Sequence, residues 1–302
     1  MNMYSNDSLV EAAATMPHWF GMKSPRDPIV LEALRRVDRK KFLNGHRTCL
    51  GTGDIKLMKD IQNEGNNLRL VYYKRKVEGR KEEDLTEEEK KEEREICNKL
   101  LVTAFNVGDT ILYAKVSAKA LAYNDTTILI GEGQTCSMPS LVALMSDLLE
   151  LKPGMNVLEI GTGCGYHAAI TYELIKSGKL TTIEFNPKLA KKGKRNLERH
   201  LNRETENVHF VHGDGSIGYL PNAPYDRIYL TAAPQEEGFN PQPFIDQLNN
   251  DDGILLYPTE YDHNLNLVRI LNGTEERKSF FGVSFVPLLG ENSGSSAPTT
   301  IS

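Results

Sequence analysis

Three glycines at alternate positions, Gly161, Gly163 and Gly165, stand between the apolar run Val157-Leu158-Glu159-Ile160 and an apolar, helix-compatible stretch from His167 to Leu174. That order reads as a buried parallel strand, a tight turn and a helix N-terminus. Glycine allows positive φ and lets the backbone approach a ligand where a Cβ would block it. The free N–H groups at the helix start suit a carboxylate or a phosphate. Two more acids fall at the ends of the next strands. Thr181-Thr182-Ile183-Glu184-Phe185 reads as a strand ending near Glu184. Its distance from the glycines, about 20 residues, is that of the acid that takes a ribose diol in βαβ nucleotide sites. Val208-His209-Phe210-Val211 leads into Asp214 and Gly215 at a third strand end, beside the same crevice.

The spacing also excludes chemistry. The turn is Gly-x-Gly-x-Gly, the second half of a dinucleotide fold is missing, and no lysine follows the glycines as in a phosphate-binding Walker loop. What remains is one nucleoside that carries a carboxylate, which suits S-adenosylmethionine. The plainer readings are a βαβ unit without a ligand, with Glu159, Glu184 and Asp214 as solvated strand ends.

Composition sets the frame for these elements. The chain has 302 residues, 39% hydrophobic and 25% charged, enough for one large α/β domain or two smaller ones. A net charge of −5 argues against non-specific nucleic-acid binding, which needs a basic face. Cys49, Cys97, Cys136 and Cys164 lack paired Cys-x-x-Cys spacing, so reduced thiols and no metal site are expected, in a cytoplasmic protein. There is no signal-peptide pattern and no apolar run near 18 residues, so no membrane span is expected.

Along the chain, a loose end precedes a helix capped by Asp27-Pro28 that runs to Val37. Its basic end, Arg35 to Lys41, reads as solvated. Residues 44–120 form a charged insertion. Within it Leu68 to Tyr73 suggests a strand, and Thr86-Glu87-Glu88-Glu89 opens a helix toward Phe105, solvated in its charged half. A partner-binding arm is the sharper reading of that charge. From 121 to 290 the chain reads as a compact domain. Gly131 to Gln134 is a loop, and Met138-Pro139-Ser140 opens a helix that Lys152-Pro153-Gly154 stops. Later strands are Asp226–Leu230, Gly253–Tyr257, Leu265–Leu271 and Phe280–Leu288, giving a parallel sheet with an antiparallel edge. Residues 291–302, rich in Ser, Gly, Pro and Thr, read as a disordered tail.

Several motifs, in order, carry a family resemblance. Ile130-Gly131-Glu132-Gly133-Gln134-Thr135-Cys136-Ser137-Met138-Pro139 resembles the signature of protein-L-isoaspartate O-methyltransferases, which typically reads Gly-Gln-Thr-Ile-Ser, one residue and Pro. Leu149 to Gly154, the glycine turn, Gly213-Asp214-Gly215, Ala223 to Asp226, Thr231 to Pro234 and Phe285 to Leu288 fit the same family, as does the segment from Arg26 to Phe42. The likeness covers roughly residues 17–43 and 121–290. It implies a Rossmann-like S-adenosylmethionine-dependent methyltransferase fold, with a seven-stranded, mostly parallel sheet and helices on both faces.

The implied reaction is methyl transfer to the α-carboxylate of an isoaspartyl residue in a damaged protein or peptide. A carboxylate, with pKa roughly 4, is already ionised and needs no strong base. Orientation of the reactants can supply on the order of 7–11 kcal/mol. The resemblance implies cofactor roles for Gly161, Gly163 and Gly165 in the turn, Glu159 at the amino end, Glu184 on the ribose, and Asp214 with Gly215 at the adenine. Ser137 matches the active-site serine, a donor that places the substrate carboxylate, with Gln134 and Thr135 beside it. Its plainer role is a helix N-cap. His167 reads as a helix-start residue near the cofactor rather than a base, and Tyr219, Tyr225 and Tyr229 as core. Cys136 stands where Ile is usual and Cys164 where Ser is frequent. The insertion and the altered stretches Asn250–Gly253 and Thr259–Asp262 leave two other readings: one dedicated protein target, or a non-catalytic cofactor-binding adaptor.

Overall fold

The structure, a computed structural model, describes residues 6–15, 27–43, 122–235 apart from 124, 238–293, and the short strands β1 (Arg47–Thr48), β2 (Lys74–Lys76), β3 (Thr103–Val107), β4 (Thr110–Ala114) and β5 (Val116–Ser117). A seven-stranded sheet has the order β10-β9-β8-β11-β12-β13-β14. Its members are β8 (Asn156–Ile160), β9 (Lys179–Glu184), β10 (Val208–His212), β11 (Arg227–Leu230), β12 (Asp252–Thr259), β13 (Asn264–Leu271) and β14 (Thr274–Phe281). The first five strands pair in parallel and the last two add antiparallel. The order reverses between β8 and β11, and ligands of open α/β sheets bind at the carboxyl ends beside such a point.

Alternation along the buried strands divides two cores. Val157, Leu180 and Tyr229 face the layer that holds α1 (Asn6–Thr15), α2 (Pro28–Arg36), α3 (Pro139–Leu148), α4 (Tyr166–Ile175) and α5 (Pro187–His200). Leu158, Ile160 and Ile228 face the short α6 (Gln242–Ile245) on the other side. Arg227, fully buried, donates to the carbonyls of Leu149 at 2.5 Å and Asp252 at 2.6 Å, so it ties the end of α3 to the sheet.

Four expectations change. Within the stretch read as a loose end, Asn6–Thr15 is helical, because Leu9, Val10 and Ala13 bury against the body. The seventh strand is Thr274–Phe281, not Phe280–Leu288. Asn272 and Gly273, both at positive φ, turn β13 directly into it. Its polar edge sequence hid it, since an edge strand need bury neither face. Gly131 to Gln134 is the tip of a hairpin between β6 (Ile128–Gly131) and β7 (Gln134–Cys136). In the insertion, Thr103–Val107 forms a strand paired with Thr110–Ala114, where a helix running toward Phe105 is expected. Most of that helix, and Leu68 to Tyr73, lies outside the described residues.

Candidate active site

A cavity of about 410 Å³ opens at the carboxyl edge of the sheet, within the range of roughly 300–1,000 Å³ for small-molecule sites. Gly161, Gly163, Glu184 and Gly215 line it together with Gln134, Thr135 and Ser137. Glu159, Gly165 and Asp214 do not line the cavity. The segment Val286–Leu289 closes the cavity over the strand ends, held by hydrogen bonds between Ala233 and Val286 and between Leu288 and Ala233.

The glycine turn leaves no room for side chains. Gly161 has φ +100°, and a Cβ there would lie 2.2 Å from Thr231 Oγ1. Gly165 has φ +86° and serves packing: a Cβ would lie 2.9 Å from the Gly193 carbonyl of α5. Glu184 closes the turn from the next strand. Its Oε2 accepts the Gly163 N–H at 2.8 Å and its Oε1 the Asn186 N–H at 2.9 Å. Burial pushes its pKa up against the pull of these bonds.

Glu159 is fully buried under the cavity floor. Strand register puts Thr182 on one side of it and Tyr229 on the other. Thr182 Oγ1 donates to Oε2 at 2.5 Å and Tyr229 OH donates to Oε1 at 2.9 Å. Desolvation nevertheless raises its pKa to about 8. Asp214 is engaged with backbone: it accepts the N–H of Ser216 at 2.8 Å and of Glu291 at 2.9 Å. Glu291 to Ser293 are thereby packed on the body, while residues 294–302 lie outside the described residues.

Ser137 is not the N-cap of α3. Met138 occupies that position without a side-chain bond, and Asp125 Oδ1 accepts the Ser140 N–H at 2.8 Å instead. The serine hydroxyl therefore has no capping duty. His167 lines the cavity, is buried, and has both ring nitrogens unpartnered. Burial lowers its pKa to about 3, so its imidazole is neutral. The buried Tyr166 hydroxyl is likewise unpartnered at the cavity wall. Cys136 and Cys164, both free thiols, also line it. Tyr225 and Tyr229 are core, as expected. The sequence reading missed Arg39, fully buried behind Ser137. Its place in a basic run gave no local signal.

The residues fit a nucleoside with an amino-acid end. The turn admits close approach, Glu184 faces in at the strand end, and orphaned polar atoms of His167 and Tyr166 await polar partners. No group of three or more His, Cys, Asp or Glu forms a metal cluster among the described residues.

Comparison with known proteins agrees. Residues 80–293 match the family model "Protein-L-isoaspartate(D-aspartate) O-methyltransferase". Protein-L-isoaspartate O-methyltransferase 1 of Archaeoglobus fulgidus is 43% identical over 181 residues, 60% of this chain and 81% of that protein. The Pyrococcus horikoshii enzyme of the same name is 39% identical over 224 residues, 73% and 94% of the two chains. A solved protein-L-isoaspartate O-methyltransferase superposes with TM-score 0.59 at 21% identity, over 96% of this chain and 67% of its own. A putative one from Plasmodium falciparum, in complex with S-adenosyl-L-homocysteine, gives 0.58 at 18%, over 94% and 98%. These two likenesses bear on the fold, a Rossmann-like methyltransferase sheet. By the family match and the identity to its relatives, this chain belongs to the protein-L-isoaspartate(D-aspartate) O-methyltransferase family.

Proposed function

We propose that this chain methylates the α-carboxylate of isoaspartyl residues in proteins, with S-adenosylmethionine as donor. The observation that carries the reading is one cavity lined by the glycine turn and Glu184 together with Gln134–Ser137. Bound S-adenosylmethionine supplies a sulfonium methyl group, an electrophile that a carboxylate attacks directly.

The chain's own residues bind and align. Glu184 is placed for the ribose hydroxyls and also holds the Gly163 amide. His167 and Tyr166 offer free polar atoms to the ligand's polar end. Glu159, behind the floor, acts on that end through the row Thr182–Glu159–Tyr229. Asp214 and Gly215 frame the adenine side, with Asp214 braced by the Ser216 and Glu291 amides. Ser137, free of capping, donates to the substrate carboxylate, with Gln134 and Thr135 at the same edge. No general base is needed, which suits a neutral, desolvated His167. Ester formation gives the neighbouring backbone nitrogen a good leaving group to displace. The succinimide that forms hydrolyses partly to normal aspartate without the enzyme.

The arrangement 1–43, 44–120, 121–290 and 291–302 remains our division of the chain. Pairing of Arg47–Thr48 with Val116–Ser117 brings the ends of the insertion together, which supports an excursion from the main body that selects substrate or partner. No described helix is long and apolar enough to cross a membrane, and we place the enzyme's work in the cytoplasm. The test is methyl transfer from labelled S-adenosylmethionine to matched isoaspartyl and aspartyl peptides. Transfer to the isoaspartyl peptide alone is expected. Transfer to neither, with cofactor bound, overturns the reading.

A further inference from the structure

Arg39 lies in the sequence Arg35-Arg36-Val37-Asp38-Arg39-Lys40-Lys41, where every neighbouring cation is exposed. Among the cations of that run it alone is fully buried. The local chain explains how. Asp38 caps a single turn of 3-10 helix, Arg39–Lys41, by accepting the Lys40 N–H at 3.1 Å. The turn swings Arg39 inward while Lys40 and Lys41 stay in solvent. Its Nη2 then donates to the carbonyls of Thr126 at 2.7 Å and Ser137 at 2.9 Å, with the Cys136 carbonyl at 3.5 Å. These oxygens flank the β6–β7 hairpin. One guanidinium thus clasps the hairpin at its base and holds the backbone of Ser137 itself. The same group lies 5.7 Å over the ring of Tyr166, the first residue of α4.

The far end of this turn reaches the other half of the site. Asn196 of α5 donates to the Phe42 carbonyl at 3.2 Å and to the Cys164 carbonyl at 3.0 Å. Arg39 therefore grips the edge that bears Ser137, while Phe42 is bound through Asn196 to the glycine turn. A buried guanidinium is costly unless its donors are satisfied. Nη2 reaches these carbonyls from the end of a flat, rigid guanidinium whose length and plane an ammonium does not share. Such expense at a site edge is repaid in geometry, since a misplacement of about 1 Å can cost 10²-fold in rate.

We propose that Arg39 is a positioning residue for methyl transfer, acting through Ser137: it fixes the height of the serine above the glycine turn. The inference rests on the reading of Ser137 as the group that places the substrate carboxylate. It needs no contact between Arg39 and substrate or cofactor.

The test compares Arg39→Lys, Arg39→Gln, Asn196→Ala and Ser137→Ala in the full chain. The readouts are kcat and KM for an isoaspartyl peptide and calorimetric Kd for S-adenosylhomocysteine. Arg39→Lys is expected to lose tenfold or more in kcat/KM for peptide, with Kd for S-adenosylhomocysteine changed less than twofold. Asn196→Ala is expected to show the reverse split. Combining Arg39→Lys with Ser137→Ala should cost little beyond Ser137→Ala alone, because both act on one element. Arg39→Lys with normal peptide kinetics overturns the proposal. So does parallel loss of peptide and cofactor binding, which marks a merely structural role. Should Arg39→Gln fail to fold, Arg39→Lys decides. A fully active Ser137→Ala would instead sink the reading of Ser137, and an inactive wild type the reading of the function.

Discussion

Tyr229 and Glu159 are register partners on adjacent parallel strands, and the Tyr229 hydroxyl donates to Glu159 Oε1 at 2.9 Å. On the opposite strand Thr182 donates to Oε2, and its own oxygen meets Thr162 Oγ1 at 2.6 Å in the glycine turn. The buried acid is thus wired to the glycine turn through one pair of hydroxyls and to α4 through Tyr229 and Thr171, 2.8 Å apart.

This burial makes stability depend on pH. The ordinary carboxyl value is 4.5, and desolvation raises Glu159 to about 8. The folded value exceeds the unfolded one, so the protonated native form is favoured. That contribution is complete below about 4.5 and is lost as pH rises through about 8. Each pKa unit corresponds to about 1.4 kcal/mol. The ligand-free enzyme should therefore lose several degrees of Tm between pH 5 and pH 9 on this account, and Glu159→Gln should flatten the profile. An equal slope in wild type and variant, by calorimetry, refutes the assignment.

Glu184 should matter most for the cofactor. Hydrogen bonds to a charged group contribute about 1.5–3 kcal/mol. Removing it would cost the ribose contact proposed for it and also free the Gly163 and Asn186 amides. Glu184→Ala should raise Kd for S-adenosylhomocysteine by about 10- to 100-fold, read by titration calorimetry. Unchanged affinity would place the ribose elsewhere.

Much of this was legible because the signals are local. The strand-turn-helix at Gly161–Gly165 and the acid at Glu184 follow from periodicity and spacing, and the structure puts Gly161, Gly163 and Glu184 on one wall. Ser137 could be placed only through its motif, and which side chain caps α3 was not readable. Asp125, fifteen residues before Ser140, supplies the cap. Partners set by strand register, such as Thr182 and Tyr229 flanking Glu159, are not written in either segment alone. The same holds for Arg39, whose partner Ser137 lies 98 residues away. The polar strand Thr274–Phe281 shows no buried face, so its pattern mimics a loop.

The division of labour between Asp125 and Ser137 gives a stability contrast. Loss of an N-cap costs about 1 kcal/mol, roughly 2–4 °C in a domain of this size. Asp125→Ala should lower Tm by that much. Ser137→Ala should leave Tm unchanged while peptide turnover falls about tenfold, the loss of one hydrogen bond to a charged group. A Tm drop in Ser137→Ala as large as in Asp125→Ala would return the serine to a structural role.

Cys136 offers a chemical readout of the same cavity. Its pKa is held below the ordinary thiol value, first by the hydrogen bond from Cys164 and then by Arg39, whose Nη2 lies 3.8 Å from the sulfur. Cys164 is pushed well above it, with Cys136 as the main cause. The thiolate is the reactive species, so at neutral pH iodoacetamide should modify Cys136 before Cys164. Both sulfurs belong to the wall between the glycine turn and Ser137. Saturating S-adenosylhomocysteine should therefore slow the reaction at Cys136, by about tenfold if occupancy reaches about 90% and only the free form reacts. Peptide mass spectrometry over a time course distinguishes the sites. Faster labelling of Cys164, or equal rates with and without the nucleoside, would show that Arg39 does not hold a thiolate at a cavity wall that the nucleoside covers.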